Sequence, residues 1–244
     1  MNNQATLDKM RELKFAGMRE QFETLMQTGN NSDMSTDEIV AQLIDSEWNC
    51  RNNRKIDRNV KSAKLRYQNG IEDLNFNPAR GMEKNYILRL ADCNFIKKGE
   101  NILITGPTGS GKSFLASALG NQACIRNYKV KYYNTSRLLM QLNMSKADNS
   151  YLKMLNQIKK IDLIILDDFG LQPISETDRV IILEIIEDRY GSKSTIFTSQ
   201  LPIAEWYEII GENTIADAIL DRIVHNSHRM KLEGDSMRKR KIST

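Results

Sequence analysis

The sequence predicts an α/β protein in which an all-helical N-terminal segment precedes a parallel β-sheet covered by helices on both faces. Two features favour this class. Apolar residues recur at helical spacing from the N-terminus to about Tyr67, and beyond residue 80 short β-rich runs alternate with helical stretches. Of the 244 residues, 40% are hydrophobic and 27% are charged, an ordinary globular balance.

The helical prediction for the N-terminal segment comes from the spacing of its apolar residues. Residues 7–25 carry one apolar stripe with steps of three to five residues, which predicts a single helix. Residues 28–32 interrupt the stripe with turn-forming residues. Ser35 and Glu38 then form a capping-box pattern, in which each side chain satisfies a backbone N–H group where the next helix begins.

The next helix is expected to run to about Tyr67, with an interruption at Asn52-Asn53 left open. Asn69-Gly70 and Asn77-Pro78 mark a joint, after which the pattern changes. We therefore predict three regions: a helical domain over residues 1–70, a linker over residues 71–80 and a second domain over residues 81–244, large enough to bury its own core.

The second domain alternates between strands and helices. Four short β-rich runs predict buried parallel strands: residues 101–105, 130–134, 162–166 and 194–198. Helical stretches begin near Lys112, Ser136 and Glu176. This alternation is typical of βαβ units.

A phosphate-binding loop follows the first strand. The motif GxxxxGK[ST] is matched in full by Gly106, Pro107, Thr108, Gly109, Ser110, Gly111, Lys112 and Ser113. Its glycines allow successive backbone N–H groups to point at phosphate oxygens, and the following helix adds its positive dipole end. Lys112 is expected to bridge the β- and γ-phosphates of ATP, and Ser113 to place its hydroxyl on Mg²⁺. Phe114, next in the chain, is included among the nucleotide-binding residues.

Two acids follow the third predicted strand, where open α/β sheets bind their ligands. Asp167 is expected to hold Mg²⁺ either by binding it directly or by a hydrogen bond to one of the metal's ligands. Asp168 is expected to orient or deprotonate the attacking water. Thr198-Ser199-Gln200 follows the fourth strand and offers polar groups to the γ-phosphate or the water. The chain has neither the NKxD motif of GTPases nor an LSGGQ-like segment of transporter ATPases.

Five segments in this order resemble the IstB-type helper ATPases of bacterial insertion sequences, relatives of the DnaC helicase loader within the AAA+/ASCE class of P-loop NTPases. They are GPTGSGKS, LIILDDFG, TSQLP, TIADAILDRIVHNSHRM and GDSMRK. The resemblance covers most of the chain. It implies an ATPase that binds duplex DNA largely independently of sequence, assembles as a homo-oligomer with ATP at subunit interfaces, and recruits or stimulates a transposase.

The resemblance also implies roles for individual residues. Arg222 would be the arginine finger that reaches into a neighbouring subunit's ATP site, where its charge stabilises the transferring phosphoryl group. Without the resemblance, a surface ion pair with Asp221 or Asp217 is the simpler interpretation. Thr198 or Ser199 would be the first sensor and Arg238 the second.

The chain departs from typical AAA+ proteins in two respects. Asp168 stands where most of them have Glu, and this shorter side chain predicts slow hydrolysis. The hydrolysis is also expected to depend on DNA. Only about ten residues follow HRMKLEG, which predicts little or no C-terminal lid and leaves the sensor role of Arg238 open.

A basic segment ends the helical domain. Residues 51–66 hold seven Lys or Arg against one Asp, a charge of +6, so the remainder of this +4 chain carries −2. At 100° per residue the basic side chains lie away from the apolar face, and such a surface suits phosphate backbones. The residues predicted to contact DNA are Arg51, Arg54, Lys55, Arg58 and Lys61, with Lys64 and Arg66 on the same basic face. A solvated helix face is the alternative, and Arg238-Lys239-Arg240-Lys241 forms a second basic cluster.

Composition excludes several other classes. Three dispersed cysteines and two histidines argue against a disulfide framework, a zinc ribbon or a histidine-rich metal site. No signal peptide or membrane span is seen, so a cytoplasmic protein is expected. The leading hypothesis is an ATP-dependent helper of transposition. The alternatives are a DnaC-like replicative helicase loader and a nucleotide-gated interaction protein with negligible turnover.

Overall fold

The computed structural model describes residues 3–28 and 34–234, and the chain divides into two compact units, Met1–Arg58 and Asn59–Thr244. Arg238, most of the GDSMRK motif and the second basic cluster lie outside the described residues. Residues 59–80, predicted as the end of the helical domain and its linker, group with the second unit, because Ala63 and Leu74 are buried in its core.

The first unit is helical, with a break that the apolar stripe does not reveal. It contains α1 (Asn3–Glu12), α2 (Ala16–Thr28) and most of α3 (Thr36–Ala63). The prediction of a single helix over residues 7–25 is wrong, because the backbone turns at Lys14, whose φ is 59°. The stripe continues across the turn since both helices bury part of it, Leu7 from α1 and Leu25 from α2.

The start of α3 is as predicted and its end is not. Ser35 N donates to Glu38 Oε2 at 2.7 Å and Glu38 N donates to Ser35 Oγ at 3.3 Å, so the capping box is confirmed. The helix passes through Asn52-Asn53 without interruption and ends at Ala63 rather than Tyr67. Lys64 follows with a φ of 50°, a left-handed conformation that commonly ends helices.

The second unit is a five-stranded parallel sheet with helices on both faces. Its strands are β1 (Asn101–Thr105), β2 (Val130–Asn134), β3 (Leu163–Asp167), β4 (Ser194–Ser199) and β5 (Ser227–Lys231), in the order β2-β3-β4-β1-β5. Its helices are α4 (Lys84–Ala91), α5 (Asn94–Lys98), α6 (Lys112–Ile125), α7 (Thr135–Ser145), α8 (Tyr151–Lys159), α9 (Glu176–Arg189), α10 (Trp206–Ile210) and α11 (Asn213–Val224).

Side chains that alternate along β1 face opposite layers of helices. Ile102 and Ile104 join the core cluster that contains α4, α5 and α6 residues, whereas Leu103 joins the cluster formed with α7, α9 and α11. The strand β3 is buried along its whole length, as expected for a central parallel strand. The predicted α/β class is therefore confirmed.

The four predicted strands are confirmed, and β5 is additional. β1 and β2 have the predicted bounds, β3 begins and ends one residue later, and β4 is one residue longer. β5 pairs with β1 at the sheet edge, and Met230 is its one buried residue. With so little apolar pattern, its sequence does not predict a strand.

The parallel register of the strands brings the predicted motifs together at the carboxyl ends of the strands. Thr105 is paired with Ser199, and Leu166 with Phe197, so β1, β3 and β4 end together.

No helix in the described ranges is both long and apolar enough to span a bilayer.

Candidate nucleotide-binding site

The phosphate loop joins β1 to α6 through backbone conformations that require glycine. Gly106 has a φ of 147°, and a Cβ placed there would lie 2.2 Å from Leu232 O. Gly111 precedes α6 with a φ of 102°. A side chain at Gly106 would therefore displace the backbone that follows β5, and the loop would lose its position against the sheet.

Polar side chains of the loop are held close to it. Lys112 Nζ donates to Gly106 O at 2.7 Å and to Pro107 O at 2.9 Å. Thr108 Oγ1 donates to Gln200 Oε1 at 2.7 Å, so Gln200 from the end of β4 reaches across the loop. Ser110 Oγ is buried and finds no hydrogen-bond partner among the described residues, a donor well suited to a phosphate oxygen.

Asp167 is the most densely bonded carboxylate at this edge. It is fully buried and accepts hydrogen bonds from Thr198 Oγ1, Tyr132 Oη, Ser113 Oγ at 2.8 Å and Arg66 Nη1 at 2.7 Å. Burial alone would raise the pKa of Asp167, but these four donors outweigh it and hold the pKa below its usual range. The carboxylate is thus kept ionised, as a metal ligand must be.

Asp168 stands beside it in an unusual backbone conformation. Its φ is 59°, in the left-handed region that Asp and Asn tolerate better than Glu. Its N–H donates to Thr198 Oγ1 at 3.2 Å, and Asn134 Nδ2 donates to its Oδ2 at 3.3 Å. The Asp found at this position is therefore matched to the turn that carries it.

Thr198 and Ser199 occupy different environments. The Thr198 hydroxyl lies between the two acids, bonded to the Asp167 carboxylate and to the Asp168 N–H. The Ser199 hydroxyl instead donates to Phe169 O at 2.7 Å and supports the loop after the acids. Of the two candidates for the first sensor, Thr198 is the one placed at the acids.

The oxygen ligands present fit Mg²⁺. Ser113 Oγ and Asp167 Oδ1 are 2.8 Å apart next to the phosphate loop, and Mg²⁺ bound with ATP uses one or two protein oxygens together with phosphates and water. Within residues 3–28 and 34–234 no cluster of three or more His, Cys, Asp or Glu could hold a metal by itself. The site therefore suits a metal that arrives with its nucleotide.

Tyr67 and Asn69 contact Phe114 in the first turn of α6. The rings of Tyr67 and Phe114 meet edge to face with centroids 5.5 Å apart. Asn69 Nδ2 donates to Phe114 O at 3.2 Å, and Asn69 Oδ1 is buried with no partner in the described part of the chain. Phe114, included among the nucleotide-binding residues, thus contacts the segment that follows α3.

Arg66 is placed differently from its prediction. The helical period predicts it on the basic helix face, but it lies beyond the end of α3 and forms ion pairs with Asp167 at 2.7 Å and Asp168 at 3.6 Å. Tyr132, which no sequence motif marks, donates to the same Asp167 oxygen as Arg66. Both residues reach the site through the tertiary fold, so the sequence offers no local signal for them.

Arg222 lies at the opposite end of the sheet from the phosphate loop. Asn101 Nδ2, at the first residue of β1, donates to Arg222 O at 3.3 Å, whereas the loop follows the last residue of β1. The Arg222 guanidinium pairs with Glu187 Oε1 at 2.6 Å, not with Asp221 or Asp217. Its side chain remains 26% exposed. Arg222 therefore does not join the nucleotide site of its own chain.

The residues predicted to contact DNA all lie on α3 and are exposed: Arg51, Arg54, Lys55, Arg58 and Lys61. At 100° per residue they fall within an arc of roughly 120° on the helix. Arg51 also has partners inside the first unit, Glu47 Oε1 at 2.6 Å and the ring of Phe15 at 5.4 Å. Glu47 thus partly neutralises the charge of Arg51.

The family profile described as IstB-like ATP binding protein matches residues 8–244. The chain belongs to this family. It is 42% identical over 234 residues to an insertion sequence ATP-binding protein of Sinorhizobium fredii, covering 96% of both chains. It is 29% identical over 226 residues to the ATP-binding protein of insertion sequence IS21 from Pseudomonas aeruginosa, covering 93% of this chain and 85% of that one.

Solved structures place the IstB-like fold among AAA+ domains. The structure of DnaI covers 68% of this chain and 92% of its own, with a TM-score of 0.60 and 23% identity. That of the DnaC helicase loader covers 71% of this chain and 98% of its own, with a TM-score of 0.53 and 19% identity. At these identities the likeness establishes the P-loop AAA+ fold of this IstB-like chain and nothing finer.

Proposed function

We propose that this chain is an ATP-dependent DNA-binding helper of transposition. It binds ATP with Mg²⁺, assembles on duplex DNA as a homo-oligomer with ATP at the subunit interfaces, and recruits or stimulates a transposase. Hydrolysis then loosens the assembly. The family membership and the insertion-sequence relatives support the transposition role, and the proposal places the protein in the cytoplasm, where ATP and chromosomal DNA are both available.

The observation that carries the oligomer is the separation of Arg222 from the phosphate loop. They lie at opposite ends of β1, and that strand is roughly 13 Å long. At the nucleotide site of one subunit Arg66 is paired with Asp167 and Asp168, while Arg222 lies partly exposed on the other side of the same subunit. A head-to-tail contact between identical subunits brings the two together, and such contacts build rings or filaments.

The residues at the carboxyl ends of the strands have different roles in ATP hydrolysis. Backbone N–H groups of the loop and Lys112 bind the phosphates, and Ser113 and Asp167 hold the Mg²⁺ that neutralises their charge. Asp168 orients or deprotonates the attacking water. The Thr198 hydroxyl links the two acids, since it accepts from the Asp168 backbone N–H and donates to the Asp167 carboxylate. Arg222 of the neighbouring subunit stabilises the charge that develops on the γ-phosphate.

The DNA contact is assigned to the basic residues of α3. From Arg51 to Lys61 the helix rises about 15 Å, comparable with four phosphates along one strand. A triple variant with Arg54→Glu, Lys55→Glu and Arg58→Glu should weaken DNA binding more than tenfold at low salt. It should also flatten the salt dependence, because the slope of log Kd against the logarithm of the salt concentration follows the number of phosphates neutralised. Lys153→Glu with Lys160→Glu, which reverses two exposed charges at α8, is the control.

The experiment that tests the proposal is assembly on DNA with and without a working phosphate loop. Wild-type protein with ATP and duplex DNA should form large complexes in size-exclusion chromatography and electron microscopy, and Lys112→Ala should form none. Assembly of the variant equal to that of the wild type would overturn the ATP-dependent step. Capture with the wild-type complex separates the roles: a transposase supports the helper, and a replicative helicase supports the loader. Absence of phosphate release despite tight ATP binding would favour a nucleotide-gated switch.

A further inference from the structure

Arg66 is a basic residue that belongs neither to the phosphate loop nor to the residues of α3 that are proposed to contact DNA. Its Nη1 lies 2.7 Å from Asp167 Oδ2 and 3.6 Å from Asp168 Oδ2. Asp167 is fully buried, whereas the Arg66 side chain is 37% exposed. One guanidinium therefore bridges both acids of the nucleotide site from its solvent side.

The carboxylate of Asp167 has its acceptor positions filled by described residues. Thr198 and Ser113 donate to Oδ1, and Tyr132 and Arg66 donate to Oδ2. A carboxylate offers about four such positions. A metal ion, or a water bound to it, must therefore take the place of a donor or share an oxygen with one.

Among these donors Arg66 is the one that opposes a metal by its charge. A guanidinium stays protonated at every pH at which the protein is folded, so it always brings a positive charge to Asp167. A divalent cation on the same carboxylate would lie within a few ångströms of it, where like charges repel strongly away from bulk water. Thr198, Tyr132 and Ser113 donate from neutral hydroxyl groups and carry no such penalty.

The position of Arg66 in the chain allows the exchange. α3 ends at Ala63, and Lys64 turns the backbone with a φ of 50°. On either side of Arg66 the chain is anchored, since Leu65 packs on the core and Tyr67 on Phe114. Rotation of a half-exposed side chain on a fixed backbone is enough to leave Asp167.

We propose that Arg66 is a positioning residue that competes with Mg²⁺ for Asp167 and so sets how much Mg²⁺ the protein needs to bind ATP. The inference rests on the proposed ATP-binding function. It differs from a phosphate-contacting arginine, which would strengthen ATP binding with or without the metal.

The test compares ATP binding in the presence and absence of Mg²⁺, using a fluorescent ATP analogue and the full chain. The quantity of interest is the Mg²⁺ benefit, defined as the Kd in EDTA divided by the Kd in Mg²⁺. Arg66→Ala should raise this benefit about fivefold, the modest effect expected for a charged hydrogen bond that is partly open to solvent. Arg66→Gln, which keeps a donor but loses the charge, should raise it as well. Arg126→Ala removes an arginine from a surface pair with Asp92 at 3.0 Å and serves as the control.

Each outcome decides between the interpretations. A benefit that is unchanged or reduced in both Arg66 variants, with wild-type binding intact, overturns the competition and leaves the ATP-binding function standing. Weaker binding by the same factor in EDTA and in Mg²⁺ would make Arg66 a phosphate ligand instead. If the wild type binds ATP under neither condition, the proposed function fails and this inference fails with it.

Discussion

Glu47 Oε2 accepts a hydrogen bond from the backbone N–H of Gly17 at 2.9 Å, across thirty residues of sequence. It also accepts from Met18 N at 3.1 Å. These are N–H groups of the first turn of α2, which have no partner inside the helix. A buried carboxylate from α3 thus caps α2 in place of a local Ser or Asp, and this cap joins the helices of the first unit.

Replacing Glu47 should open the start of α2. Glu47→Ala leaves two N–H groups without an acceptor and should cost about 1–2 kcal/mol, the range of a lost helix cap. Hydrogen exchange followed by mass spectrometry should show faster exchange in residues 16–20 while β3 keeps its protection. Unchanged exchange in that segment would show that Glu47 is not the cap.

The same carboxylate predicts a loss of stability at acidic pH. Burial acts to raise the pKa of Glu47, but Arg51 and the N–H groups of Met18 and Gly17 outweigh it and hold the pKa below 4.5. A carboxyl whose pKa is lowered by folding stabilises the protein above its unfolded pKa, and this stabilisation is lost as the pH falls through the folded value. Protection of residues 16–20 should therefore decline below about pH 4.5 in the wild type. In Glu47→Gln it should show no such step.

Arg189 should be a strong determinant of stability in the second unit. It is 2% exposed and donates to four backbone carbonyls, those of Ile158, Ile161, Asp162 and Ser194, and to Thr195 Oγ1. Burial lowers its pKa to about 10, so it remains charged at neutral pH. Arg189→Met should cost about 3 kcal/mol or more in the free energy of unfolding, measured in urea, because it strands these acceptors. Arg126→Met on the surface should change it by less than about 0.5 kcal/mol.

Asp168 should be required for hydrolysis but not for folding or ATP binding. Asn tolerates the left-handed backbone as Asp does, so Asp168→Asn removes the carboxylate and keeps the turn. Phosphate release should fall about a hundredfold or more, while the Kd for ATP changes less than about twofold. Asp45→Asn, an exposed acid on α3, is the control. Wild-type hydrolysis by Asp168→Asn would exclude Asp168 as the residue that handles the water.

Three strands of the sheet, β1, β3 and β4, could be predicted from the sequence because they are buried on both faces. β3 is Leu163–Asp167, four apolar residues and an acid. β5 has one buried residue, Met230, and an edge strand of this kind has no apolar run to recognise. The phosphate loop is legible for a different reason, since its glycines and Lys112 are adjacent in the chain.

The residues that the sequence misplaced depend on the backbone path between elements. A helical period extended to Tyr67 puts Arg66 among the charges predicted to contact DNA, but the helix ends before Lys64, and Arg66 donates to Asp167 instead. The φ of Asp168 is likewise invisible in the sequence, although it explains why Asp rather than Glu suits that position. The cap from Glu47 to Gly17 spans thirty residues and follows no local motif.

The most direct test of the shared ATP site is to mix two inactive variants. On the proposed function, Lys112→Ala should lose ATP binding but keep Arg222, and Arg222→Ala should bind ATP but lack the arginine that a neighbouring site needs. If a head-to-tail contact joins the two, mixing at equal amounts with DNA should raise phosphate release above that of either variant alone, to at most roughly a quarter of the wild-type rate. Mixing Arg222→Ala with the double variant Lys112→Ala/Arg222→Ala should restore nothing. A mixture no more active than its separate components would contradict an ATP site shared between subunits.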